Sequence, residues 1–118
     1  MLVSIVRPVL SLPNLVLILA DDLGWGDVSW HNPAMLTPNL DLLAKEGVIL
    51  DQVYSQQVCT PSRSALLTGR YPFHIGRQKR ALKPLQPTGL HLNLTTLANQ
   101  LKKLDYNTHL VGKWHLGR

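Results

Sequence analysis

A single cysteine, Cys59, occurs in the 118 residues. No intrachain disulfide can form, therefore, and no multi-cysteine metal site can be assembled. Long apolar runs are also missing. The best candidate, Leu15 to Ala20, is preceded by Arg7, Pro13 and Asn14, which excludes a membrane span there. Acidic side chains are outnumbered, 7 against 12 basic ones, for a net charge of +5. That surplus suits an anionic partner. No helix-turn-helix, zinc module or aromatic stacking platform accompanies it, so nucleic acid is not expected. Met1 to Leu12 has no basic start followed by an uninterrupted apolar core and a small-residue cleavage site. Residues 1–12 read as a remnant signal or a mispredicted start, and residues 13–118 as the structured part. A hydrophobic content of 45% with 16% charged residues is that of a globular domain with a modest core.

Three short apolar or β-rich segments, Leu15 to Ala20, Val48 to Tyr54 and Asn107 to Val111, have the length and bounds of core strands. Between them the spacing predicts helices. One begins at Thr37-Pro38, turns Leu40, Leu43 and Ala44 inward and stops at Gly47. Another begins near Thr95, with Thr95 or Thr96 as cap and Leu97, Ala98, Leu101 and Leu104 inward. A third follows Cys59, with Pro61 at its first position and Gly69 as its stop. This order of elements predicts an α/β fold, a partial open and mostly parallel sheet with covering helices. Ligands of such a sheet collect beyond the carboxyl ends of its strands. Arg70 to Asn93, with Pro72, Pro84, Pro87 and the basic residues Arg77, Lys79, Arg80 and Lys83, reads as a long surface loop. It is either a solvated loop or a surface for an anionic polymer.

Three places carry candidate chemistry. In Val58-Cys59-Thr60-Pro61-Ser62-Arg63-Ser64-Ala65-Leu66-Leu67-Thr68-Gly69-Arg70, polar neighbours surround the thiol, and Arg63 follows one helical turn later. A group at position 59 would lie near the amides of a helix start, a place that favours negative charge. At the end of the first apolar segment, Asp21-Asp22-Leu23-Gly24-Trp25-Gly26-Asp27 opens on two adjacent carboxylates. These repel each other unless a cation or hydrogen-bond donors compensate. Hard oxygen ligands suit Ca²⁺ or Mg²⁺, although a turn capped by one of the aspartates accounts for the same residues. Near the other end, Gly112-Lys113-Trp114-His115-Leu116-Gly117 presents a cation and an imidazole. They lie on alternate sides if the segment is extended and together if it turns. It is either an exposed loop anchored by Trp114 or a site in which lysine neutralises an anion and histidine handles a proton. His109, on a predicted strand, reads as a packing residue. Nothing selects among His31, His74 and His91. Asn93-Leu94-Thr95 is an acceptor triplet for N-glycosylation.

The Cys59 run resembles the signature of the type I, formylglycine-dependent sulfatases, and Tyr106 to Arg118 is similar to their second signature. The similarity is greatest to the arylsulfatase B-like group, through Cys59 to Tyr71 and Thr108 to Gly117. It implies an alkaline phosphatase-like fold and hydrolysis of sulfate esters, such as those of a sulfated small molecule or glycosaminoglycan. By the same resemblance a formylglycine-generating enzyme oxidises Cys59 to an aldehyde. Cys59, Arg63, Lys113 and His115 are then the catalytic group, and Asp21, Asp22 and the modified Cys59 are ligands of Ca²⁺. A lysosomal or secreted location is implied too. The chemistry has a reason: a serine that attacked sulfur would be left holding a stable ester, whereas a hydrated aldehyde has a second hydroxyl whose deprotonation expels sulfate. A phosphate or phosphonate hydrolase of the same superfamily would explain the fold and metal, but less of the Cys59 run. The resemblance covers the amino-terminal part of the family's catalytic domain, so the chain is expected to be a fragment, inactive alone, or an incompetent homologue. The arylsulfatase B-like group carries cysteines in the loop where this chain has Lys83-Pro84-Leu85-Gln86-Pro87-Thr88-Gly89.

Overall fold

Proline and glycine punctuate the chain where its helices start and stop. The computed structural model describes residues 12–117. Except for Leu12, the expectation for residues 1–12 lies outside them. The described residues contain three α-helices, α1 (Pro38–Glu46), α2 (Cys59–Thr68) and α3 (Leu97–Lys102), and two 3₁₀ turns, Trp25–Asp27 and Pro72–Ile75. They fall into two compact units that divide between Glu46 and Gly47.

In the first unit, α1 begins at Pro38, whose fixed φ suits a first helical turn. Thr37 stands just before it. The Asp41 amide donates to the Thr37 carbonyl at 3.0 Å, but the Thr37 hydroxyl turns away and accepts from the Ser29 amide at 3.0 Å. The Ser29 hydroxyl also reaches Asp41 Oδ1. Val28, beside this junction, is the one buried hydrophobic residue described in the unit. The expected inward face of α1 is not buried: Leu40 and Leu43 are exposed.

The second unit is organised on α2. The helix starts two residues before Pro61, so Cys59 is its first residue and Pro61 its third. Gly69 ends it as expected, at φ 64°, with its amide donating to the Ala65 carbonyl at 2.8 Å. Helix α2 packs against the Pro72–Ile75 turn and against α3. Part of the segment read as a surface loop is therefore structural, with Pro72 and Ile75 buried. Thr96 is the cap of α3. Its hydroxyl accepts from the Asn99 amide, and Asn99 Oδ1 accepts from the Thr96 amide at 2.9 Å, a reciprocal cap. Leu97 and Leu104 of the expected inward face are exposed.

No β-strand is formed among the described residues, including Leu15 to Ala20, Val48 to Tyr54 and Asn107 to Val111, the segments expected to supply the core strands. An apolar segment becomes a strand only when a neighbouring backbone satisfies its amides and carbonyls. Among the described residues these segments have no ladder partner, and their side chains meet solvent: Val16 is 82% exposed, Ile18 84% and Val111 99%. His109 is likewise exposed rather than packed.

Candidate functional site

In the first unit the chain turns sharply after Ala20. Asp22 adopts a left-handed conformation, φ 60°, which aspartate tolerates better than most residues. Asp21 and Asp22 are both exposed. Asp27 serves the turn itself: its Oδ2 accepts from the Gly24 amide at 2.7 Å. A side chain at position 24 would crowd that carboxylate, since a Cβ there would lie 3.0 Å from Oδ2. The acidic run therefore separates into one structural carboxylate and an adjacent pair. Two anionic oxygen donors of this kind fit a hard divalent cation such as Ca²⁺. His31 stacks on Trp25 with ring centroids 3.5 Å apart, and its Nδ1 bonds to the Trp25 carbonyl at 3.0 Å.

In the second unit Cys59, half-buried, stands at the positive end of α2. Lys113 Nζ approaches its Sγ to 3.3 Å. The loop that carries Lys113 is tied to the same helix. Arg63 Nη1 donates to the Lys113 carbonyl, and the Thr60 hydroxyl donates to the His115 carbonyl at 2.9 Å. Gly112, at φ 106°, lets the chain turn before Lys113. Leu116, 1% exposed, anchors the far side of the loop, and its carbonyl accepts from the Leu90 amide at 2.8 Å. Gly117 has no room for a side chain: a Cβ would sit 2.3 Å from the Thr88 carbonyl oxygen.

The structure thus brings Cys59, Arg63 and Lys113 together. Arg63 acts on the backbone of the lysine loop. His115 is tied to the same helix through its carbonyl, and its ring Nε2 bonds to the Leu82 carbonyl at 2.9 Å. Asp21 and Asp22 belong to the other unit. Thr60 and Leu82 were not singled out from sequence. The polar position of Thr60 beside Cys59 was the only signal for one, and the other contributes backbone alone. Beyond Leu82 an open cleft of about 710 Å³ is bordered by Arg77, Lys79, Arg80 and Lys83, which makes its walls cationic. Asn93 lies in an exposed turn. Among the described residues no helix is long and apolar enough to cross a membrane.

Comparison with known proteins places these residues in context. The family description "Sulfatase" matches residues 13–118. Mouse arylsulfatase J is 51% identical over 107 residues, covering 91% of this chain and 18% of that protein. Bovine arylsulfatase A is 49% identical over 109 residues, 91% of this chain and 22% of its own length. Rat N-acetylgalactosamine-6-sulfatase is 43% identical over 118 residues, 89% of this chain and 22% of its own. The chain thus spans about a fifth of the length of these relatives.

Proposed function

The chain belongs to the sulfatase family of sulfuric ester hydrolases, and on that premise we propose that the protein hydrolyses sulfate esters at a nucleophilic position made from Cys59. Membership carries an α/β fold of the alkaline phosphatase type; Leu15 to Ala20, Val48 to Tyr54 and Asn107 to Val111 are our proposal for its core strands. The observation that most supports the function is the ammonium of Lys113, 3.3 Å from the Cys59 sulfur at the start of a helix. A thiol is a poor reagent for a sulfate ester. Conversion of Cys59 to formylglycine, by a formylglycine-generating enzyme on the secretory route, supplies a hydrated aldehyde that can attack sulfur and then release it.

The chain's own residues have distinct parts in that reaction. Lys113 neutralises the negative oxygens of the bound ester, and its charge counts for more as the transition state gathers charge on the same atoms. Arg63 keeps Lys113 in place through the Lys113 carbonyl. His115 accepts a proton from a hydroxyl at position 59. Asp21 and Asp22 would hold Ca²⁺, whose positive charge would offset that of a bound sulfate. The cationic cleft bordered by Arg77, Lys79, Arg80 and Lys83 suits a sulfated glycosaminoglycan. A lysosomal or secreted location follows from the need for the maturation enzyme.

Mass spectrometry of the full-length protein expressed through the secretory pathway tests the central step. The peptide containing Cys59 will have lost its thiol and gained an aldehyde; an unmodified thiol in that material overturns the proposal. Two variants probe the supporting residues. Lys113→Ala is expected to raise KM and lower kcat together, reducing kcat/KM by about 100-fold or more. A change confined to KM would limit Lys113 to substrate capture. Asp21→Asn is expected to weaken Ca²⁺ binding by about tenfold or more in a calorimetric titration. An unchanged isotherm would remove Asp21 from the ligand set.

A further inference from the structure

Thr60 is fully buried, and its hydroxyl is used twice. It donates to the His115 carbonyl at 2.9 Å and accepts from the Leu82 amide at 3.0 Å. His115 closes the circuit, its ring Nε2 lying 2.9 Å from the Leu82 carbonyl oxygen. Thr60, Leu82 and His115 are thus joined pairwise beside Cys59, although 22 and 55 positions separate Thr60 from the other contacts. His115 itself has φ 56°, in the left-handed region, which histidine enters more readily than most residues though still uncommonly.

The chemistry of the partners decides where the imidazole proton sits. A carbonyl oxygen has no hydrogen to give, so the Nε2–Leu82 bond requires a hydrogen on Nε2. In the neutral ring the other nitrogen then carries the lone pair. His115 Nδ1 is buried and has no hydrogen-bond partner among the described residues. A buried acceptor left in that state costs free energy, and such exceptions occur where a site expects a group it does not yet hold.

We propose that Thr60 is a positioning residue which, through the Leu82 peptide, locks His115 in the Nε2–H tautomer and so makes Nδ1 the atom that accepts the proton. This rests on the sulfatase reading for its catalytic consequence, but the tautomer does not. The proton moves from a hydroxyl at position 59 to His115 Nδ1, giving an imidazolium whose Nε2–H stays on the Leu82 carbonyl. Loss of the Thr60 hydroxyl leaves both the Leu82 amide and the His115 carbonyl without their partner. The imidazole then loses its fixed orientation while Lys113, held separately by Arg63, keeps its place.

Two measurements on the full-length protein test this. In the ¹⁵N-histidine spectrum of the wild type, His115 should show a protonated Nε2 and an unprotonated Nδ1; the opposite tautomer overturns the proposal whether or not the protein is a sulfatase. In kinetics with an aryl sulfate, Thr60→Val is expected to lower kcat about tenfold with KM changed less than about twofold, at a formylglycine content equal to that of the wild type. Thr60→Ser, which restores a hydroxyl, should recover most of the loss. Unchanged kcat in Thr60→Val, or an equal loss in Thr60→Ser, overturns the positioning role. Absence of both aldehyde and turnover in the wild type overturns the sulfatase reading instead, and the ¹⁵N spectrum still decides the tautomer.

Discussion

Replacing Cys59 with alanine will lower turnover of an aryl sulfate by about 10⁴-fold or more, the scale on which removal of a covalent nucleophile acts. The fold will barely register it. Cys59 is only half-buried, and as the first residue of α2 it makes no packing contribution that alanine, a strong helix former, cannot tolerate. The melting temperature of the full-length variant should stay within about 3 °C of the wild type. Cys59→Ser separates attack from release. Its hydroxyl takes the sulfuryl group from the ester, and the departing alcohol takes the proton. No second hydroxyl remains to expel sulfate, so the protein should gain the mass of one sulfuryl group and stop. Sustained turnover by either variant would place the nucleophile elsewhere.

The second large effect concerns the 118 residues expressed alone. Val28, Ile75 and Leu116 are the buried hydrophobic side chains among the described residues, whereas Ile18, Val48 and Tyr54 are each 84% exposed. So little apolar burial cannot offset the conformational entropy of ordering a chain this long. Heated by itself, the 118-residue chain is expected to lose its circular dichroism without a sigmoidal transition, to bind a dye such as ANS before heating, and to hydrolyse no aryl sulfate. A sharp two-state melt with a fixed near-ultraviolet spectrum would contradict this. Helix α2 and the loops tied to it should be the most persistent part, because Thr60, Pro61 and Ser64 are buried there and Thr60 is hydrogen-bonded to the distant Leu82 and His115.

The sequence and the structure agree where local chemistry is enough. Pro38, Gly69 and Thr96 each mark a helix boundary through a property of the residue itself: a fixed φ, a tolerated left-handed turn, a capping hydroxyl. They part where a partner is needed. Leu15 to Ala20 signals a wish for burial, but a run of leucine and valine says nothing of which backbone will satisfy its amides. The inward faces expected for α1 and α3 fail for the same reason, since Leu40 and Leu97 report amphipathicity and not what lies opposite. At the site, the type and spacing of Cys59, Arg63 and Lys113 were readable from the chain. The circuit through Thr60 was not, because the Leu82 peptide contributes only atoms that every residue possesses.

Arg63 grips the lysine loop by a carbonyl rather than by a side chain. Every amino acid at position 113 would offer that backbone oxygen, so the anchor is indifferent to the side chain displayed there. Architecture and charge are thereby uncoupled. A series at position 113, from lysine through methionine to glutamate, can sweep local charge from positive through neutral to negative while the loop stays anchored. The slope of log kcat/KM along it would measure how strongly the reacting ester feels one unit of charge at that distance.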